Sequence, residues 1–145
     1  MQSYGDKNSY EGVVEGKVSA DRYATGKVLE AAAHFSQKAH LRKEDHIRLR
    51  IVVEEVLINI LKHGELGTGS SIGYSFKRKN CHAMIEVTDD GVPFDPRQDL
   101  SIEDTRHPDG EGGQGWPLIM SWCQVVGYRR ERGRNRLHLL LPLKS

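Results

Sequence analysis

The chain has 145 residues, enough for one well-buried core and too few for two ordinary domains. Its 21 Lys and Arg against 20 Asp and Glu leave a net charge of +1, which excludes a global field that would recruit nucleic acid or a membrane surface. Two cysteines, Cys81 and Cys123, are too few for a disulfide framework and read as reduced residues. With no run near the roughly 20 apolar residues of a membrane span and no apolar region in the polar opening stretch, a cytoplasmic setting is expected.

Residues 1–10 are expected to be loose and residues 11–145 to form a single domain. Val13 to Val18 reads as a short strand, with Ser19-Ala-Asp21 behind it as a helix cap. Ala24, Val28, Ala31 or Ala32, and Phe35 recur at helical spacing and predict a first helix ending near Gln37. A second helix is expected from Lys43 to His63, stopping at Gly64. Strands follow at Gly69 to Lys77, where Ile72, Tyr74 and Phe76 share a face, and at His82 to Asp89, with the polar turn Lys77-Arg-Lys-Asn80 between them. After a long segment from Val92 to Gly113 comes a helix with Leu118, Ile119, Trp122 and Val126 inward. A hairpin of Val125 to Arg130 with Arg136 to Leu143 closes the chain.

Polar residues in apolar surroundings mark the candidate site. In the second helix, Glu55 and Asn59 lie four residues apart and form a polar stripe with Lys62 or His63 between flanks of Val, Leu and Ile. A carboxylate and an amide in an apolar layer cost about 1–3 kcal/mol each unless they find partners. A metal with phosphates would serve, and so would a pair capping a neighbouring loop. In Met84-Ile-Glu-Val-Thr-Asp-Asp-Gly91, Ile85, Val87 and Asp89 share one face and Glu86, Thr88 and Asp90 the other. Asp89 therefore ends the core face, where it can accept from an amino group, and Gly91 permits close backbone approach. Gly110-Glu-Gly-Gly-Gln-Gly115 then opens a helix whose first turn suits Pro117, an arrangement that offers backbone N–H groups to an anion. No Gly-Lys-Ser or Gly-Lys-Thr follows, so it is not a P-loop, and no strand feeds it as a dinucleotide fingerprint requires.

In this order and spacing, Glu55-x-x-x-Asn59 with His63-Gly64, Asp89-Asp-Gly91 with Pro93-Phe-Asp-Pro96, and Gly112-Gly-Gln-Gly115 resemble the N, G1 and G2 boxes of one ATP-binding superfamily. Its members are gyrase, the heat-shock chaperone of the same fold, histidine kinases and mismatch-repair ATPases. Within it the chain most resembles the bacterial anti-sigma-factor serine/threonine kinases, from about Ser19 onward.

The order of elements does not alternate as a doubly wound fold would. The expectation is an α/β two-layer sandwich of a mixed, mostly antiparallel sheet covered on one face by helices, and the family fold is the same. The resemblance makes the segment at about 92–113 an ATP lid, with Arg97 or Arg106 reaching a terminal phosphate on closure. It implies ATP and Mg²⁺ as cofactors, Asn59 as the metal ligand and Glu55 as the general base. Nucleotide contacts fall to Asn59, Lys62, His63, Asp89, Gly91, Phe94, Arg106, Gly112, Gly113, Gln114, Gly115 and Trp116. Two features depart from the family. Trp116-Pro117 stands where a small aliphatic residue is usual, and Gly133-Arg-Asn-Arg136 stands where relatives carry a Gly-Thr whose hydroxyl supports the adenine-binding acid. Asn135 is the substitute for that hydroxyl.

Three functions follow from these residues. The first is a protein serine/threonine kinase that sequesters a sigma factor and is set by an anti-anti-sigma (STAS-type) partner, as a possible homodimer. The second is an ATP-binding switch without phosphotransfer. The third is the catalytic part of a histidine kinase. His34, His40 and His46 sit in no phosphoacceptor motif and are expected at the surface. Arg129-Arg-Glu-Arg-Gly-Arg-Asn-Arg136, with five arginines, is expected to be a solvated hairpin tip, the alternatives being an acidic partner or nucleic acid.

Overall fold

The computed structural model describes residues 9–95 and 115–144, so residues 1–8, expected to be loose, lie outside it. The elements in order are β1 (Glu11–Ser19), α1 (Ala24–Lys38), α2 (Lys43–His63), β2 (Ser71–Lys79), β3 (His82–Asp89), α3 (Gly115–Trp122), β4 (Val125–Glu131) and β5 (Arg134–Pro142). The strands form one sheet in the order β1-β2-β3-β5-β4. Every pairing among the described strands is antiparallel, in keeping with the expected α/β fold built on a mostly antiparallel sheet. Tight hairpins join β2 to β3 and β4 to β5, while α1 and α2 lie between β1 and β2 in the chain.

Strands β3 and β5 alternate half-buried and buried residues without a break. Their inward positions pair across the sheet as Ile85 with Leu139, Val87 with Leu137 and Asp89 with Asn135. Two apolar ladders thus end on a polar pair. Against this face α1 sets Val28 and Phe35, and α2 sets Leu49, Val53, Val56 and Leu57, all buried. Each such side chain contributes roughly 1.5–3 kcal/mol of burial. The Phe35 and Phe76 rings meet at 5.8 Å between centroids, joining α1 to the sheet.

Helix α2 begins and ends where the sequence says. Glu44 and Asp45 occupy its first turn and Lys62 and His63 its last, each sign complementing the helix dipole. Asp45 is fully buried and accepts from Arg48 Nη2 at 2.7 Å and from the Lys144 N–H at 3.0 Å. Arg48 also donates to the Pro142 carbonyl at 2.6 Å, so the end of β5 is fastened to the start of α2.

Several expectations are corrected. Helix α1 starts at Ala24 with Tyr23 as N-cap and no side-chain cap; Asp21 instead accepts from the Tyr23 N–H at 2.8 Å, just ahead of the helix. The β2–β3 turn is Asn80-Cys81, not Lys77 to Asn80, and Asn80 takes φ +56. Its basic residues belong to the strand, where Lys77, Arg78 and Lys79 pair with Met84, Ala83 and His82, and Arg78 Nη1 reaches the Ala39 carbonyl at 2.8 Å. Gly64 ends α2 at φ −78, and the left-handed residue is Glu65 at φ +51. In α3, Ile119 and the following Cys123 are buried, but Leu118 is 37% exposed, and Val126 lies in β4 rather than on the helix.

Candidate nucleotide site

A slot opens where the C-terminal half of α2 passes over the ends of β3, β4 and β5. Its walls include Asn59, Asp89, Phe94, Tyr128 and Asn135, and it is partly open to solvent. The helix supplies polar atoms from one side, the strand ends from the other.

On the helix, Asn59 is buried and its Nδ2 donates to the Glu55 carbonyl at 2.8 Å. Because a carbonyl only accepts, this fixes the amide and leaves Oδ1 as the atom free for a donor or a cation. One turn earlier, about 6 Å along the axis, Glu55 carries a buried Oε2 with no hydrogen-bond partner among the described residues. Burial pushes the Glu55 carboxyl above its usual range, and the neighbouring Glu54 charge adds to the rise. A buried carboxylate oxygen without a partner is a base or ligand in waiting. Among the described residues no group of three His, Cys, Asp or Glu forms a metal cage. An ion at Asn59 would therefore complete its shell with phosphate and water oxygens, the habit of Mg²⁺.

On the sheet, Asp89 is buried, as its place on the core face required. Its Oδ1 accepts from the Gly91 N–H at 2.9 Å and from Asn135 Nδ2 at 2.9 Å. Oδ2 has no described partner and belongs to a residue of the slot wall. Asn135, expected in place of a supporting hydroxyl, donates to the Asp89 carboxylate. Gly91 has no alternative: a Cβ there would sit 2.4 Å from the Gly64 carbonyl oxygen. That closeness lets the Val92 N–H reach the same carbonyl at 2.9 Å, tying the segment after β3 to the end of α2.

His63 and Phe94, both expected at the site, stack with ring centroids 4.8 Å apart and 24° between planes. Lys62 is exposed beside them on the helix. Gly115 and Trp116 open α3. Arg97, Arg106, Gly112, Gly113 and Gln114 lie outside the described residues, as does most of the lid at about 92–113.

Two residues of the site were not anticipated. Tyr128 donates its hydroxyl to Asn135 Oδ1 and accepts the Phe94 N–H at 3.3 Å. Arg130 Nη1 donates to the Gly91 carbonyl at 2.6 Å and to Asn135 Oδ1 at 3.1 Å. The arginine run is thus not simply a solvated tip. Arg134 reaches Thr88 and Arg136 pairs with Glu86 at 2.8 Å, while Arg129, Arg130 and Arg132 are exposed. The turn itself is Arg132-Gly133, both at positive φ. Register held the missing signal: Tyr128 and Arg130 pair with the inward Leu137 and Asn135.

The three histidines His34, His40 and His46, on or near the first two helices, differ in setting. His34 and His40 are exposed, and His46 Nδ1 lies 2.8 Å from Ser36 Oγ. Cys81 is exposed, Cys123 buried, and both are free. No described helix is long and apolar enough to cross a membrane.

Residues 18–141 match the histidine kinase-like ATPase domain family. Among solved structures, the chain is similar to the histidine kinase domain of the blue-light activated histidine kinase from Erythrobacter litoralis EL346. The TM-score is 0.52 and the identity 16%, over 82% of this chain and 59% of that one. At that identity the likeness is one of fold. The chain spans less than two thirds of that solved domain. No curated protein matches the sequence significantly.

Proposed function

Because the chain belongs to the histidine kinase-like ATPase domain family, we propose that it binds Mg-ATP in the α2–sheet slot and transfers the γ-phosphoryl group to a serine or threonine of a partner protein. The observation that carries the transfer step is Glu55 Oε2, buried and without a hydrogen-bond partner among the described residues, one turn from Asn59. Asp89 Oδ2 accepts from the exocyclic amino group of adenine. Asn59 Oδ1 would hold Mg²⁺, which when bound offsets the charge of the phosphates. Glu55 takes the proton as the hydroxyl oxygen attacks phosphorus, the bond to the bridging oxygen breaks, and ADP leaves. A carboxyl raised by burial is a stronger base than an ordinary one, which suits that task. His63 and Phe94 flank the slot.

Resemblance to the anti-sigma kinases supports the wider role. The phosphate acceptor is an anti-anti-sigma (STAS-type) partner, the sequestered target is a sigma factor, and the chain acts as a cytoplasmic regulator, as a homodimer if it follows that family. Neither nucleic acid nor a membrane is assigned.

Two other readings share the site. An ATP-binding switch needs no base, and a histidine kinase would label histidine. Incubating the protein with γ-labelled ATP, magnesium and candidate partners from its genome neighbourhood separates them. Acid-stable label on the partner, absent with Glu55→Gln, supports the kinase. Acid-labile label points to histidine, and partner binding without label to the switch.

A further inference from the structure

Asp89 presents one oxygen to the slot because its other oxygen is already taken. Asn135 Nδ2 donates to that other oxygen at 2.9 Å and to the Val92 carbonyl at 2.8 Å. The opposite end of the amide, Oδ1, accepts from the Tyr128 hydroxyl and from Arg130 Nη1 at 3.1 Å. Arginine has no acceptor and a carbonyl no donor, so turning the amide over would break both contacts at once. The amide is therefore locked with its donor toward Asp89. Arg130 also grips the Gly91 carbonyl at 2.6 Å. The loop that delivers a second donor to Asp89, the Gly91 N–H, is thus held by the same guanidinium.

We propose that Asn135, locked by Tyr128 and Arg130, sets base selectivity in this chain by fixing the orientation of the Asp89 carboxylate, so that its Oδ2 acceptor stays aimed at the base edge of the ligand. Nothing on the ligand side of Asp89 then tolerates another acceptor. A base with an amino group at that edge is matched, and one with a carbonyl there meets oxygen with oxygen. Leaving such buried polar groups mismatched costs about 1–3 kcal/mol, or roughly 5- to 150-fold in affinity. Without the amide, Asp89 Oδ1 loses one of its two donors and the carboxylate is free to rotate, so the discrimination collapses before the affinity does. Asn135 and its two supports are positioning residues; Asp89 makes the contact.

This inference rests on the slot being the nucleotide site, and calorimetric titration with ATP and inosine triphosphate tests the two separately. The pair differs at the base edge, amino against carbonyl, and keeps sugar and phosphates constant. Wild type is expected to favour ATP by about tenfold or more. Asn135→Leu, close in volume and without polar atoms, should bring the ratio within about threefold of unity. Tyr128→Phe, which deletes one hydroxyl, should lower it by a smaller factor with the melting temperature nearly kept, and decides the matter if Asn135→Leu does not fold. A wild type that binds neither nucleotide overturns the nucleotide reading itself. Equal binding of both by wild type overturns the role of Asp89 and this proposal with it. Selectivity that survives undiminished in the variants, with both affinities reduced alike, overturns this proposal alone.

Discussion

Glu55→Gln should do two opposite things at once: abolish phosphoryl transfer and raise thermal stability. The side chain keeps its length and shape, so the change is one of charge and of proton affinity. Loss of a general base lowers rate by about 10²–10⁴-fold, while Mg-ATP affinity, assigned to Asn59 and Asp89, should change by less than about threefold. Stability moves the other way because the wild-type carboxylate has a buried oxygen without a partner and a like charge at Glu54. Because solvent screens a carboxyl that is only partly buried, relief of that burden contributes at most about 1 kcal/mol at neutral pH, or at most about 3 °C in melting temperature for a domain of this size. The pH dependence fixes the sign. With its folded value raised above the ordinary 4.5, the native state holds the proton longer than the unfolded chain does. Wild-type stability from this group is therefore complete below the ordinary value and is lost as pH climbs through the raised one. The stabilising effect of Glu55→Gln should fade as the pH is brought below about 4.5. Scanning calorimetry across that range, paired with single-turnover transfer, reads both halves. A variant that melts several degrees lower at neutral pH and transfers at the wild-type rate would refute the assignment, leaving Glu55 as a structural residue.

Two further outcomes check the frame around the site. Gly91→Ala places a Cβ 2.4 Å from the Gly64 carbonyl oxygen, a backbone atom that cannot turn aside, so it should cost about 1–3 kcal/mol and weaken ATP binding. Gly67→Ala, with nothing within 4 Å, should leave the melting curve and the titration unchanged. The Cys123 thiol is pushed up to about 11 by burial, Arg48 partly countering. At pH 8 about one part in a thousand is thiolate, so a thiol reagent should modify the exposed Cys81 first and Cys123 only on unfolding.

The legible parts of the chain were those where periodicity and end signals agreed. Helix α2 has acids first, bases last, an apolar stripe between and Gly64 beyond, and its bounds were read to the residue. Asp89 was readable as inward because a strand's side chains alternate without exception along β3. Charged residues misled where chemistry was taken for location. Lys77 to Lys79 looked like a turn and form the end of a strand. Arg130 looked like part of a solvated tip and enters the site, since its place depends on cross-strand register, which local sequence does not carry. Leu118 was taken as core on polarity alone, though an eight-residue helix has room for few inward positions.

The pairing of Asp89 with Asn135 bears on how the molecule comes together. These residues are 46 apart in sequence and belong to different hairpins. Each hairpin can form from near neighbours, but Asp89 gains its Asn135 partner only when the second hairpin docks beside β3. Neither hairpin holds the complete site, since Asp89 comes with the first and Tyr128 and Asn135 with the second. A ligand that fits it therefore binds the assembled domain alone, and by mass action its full binding free energy counts against unfolding. In a cell, the nucleotide pool would then act as a folding aid as well as a substrate, guarding the domain most strongly when ATP is plentiful.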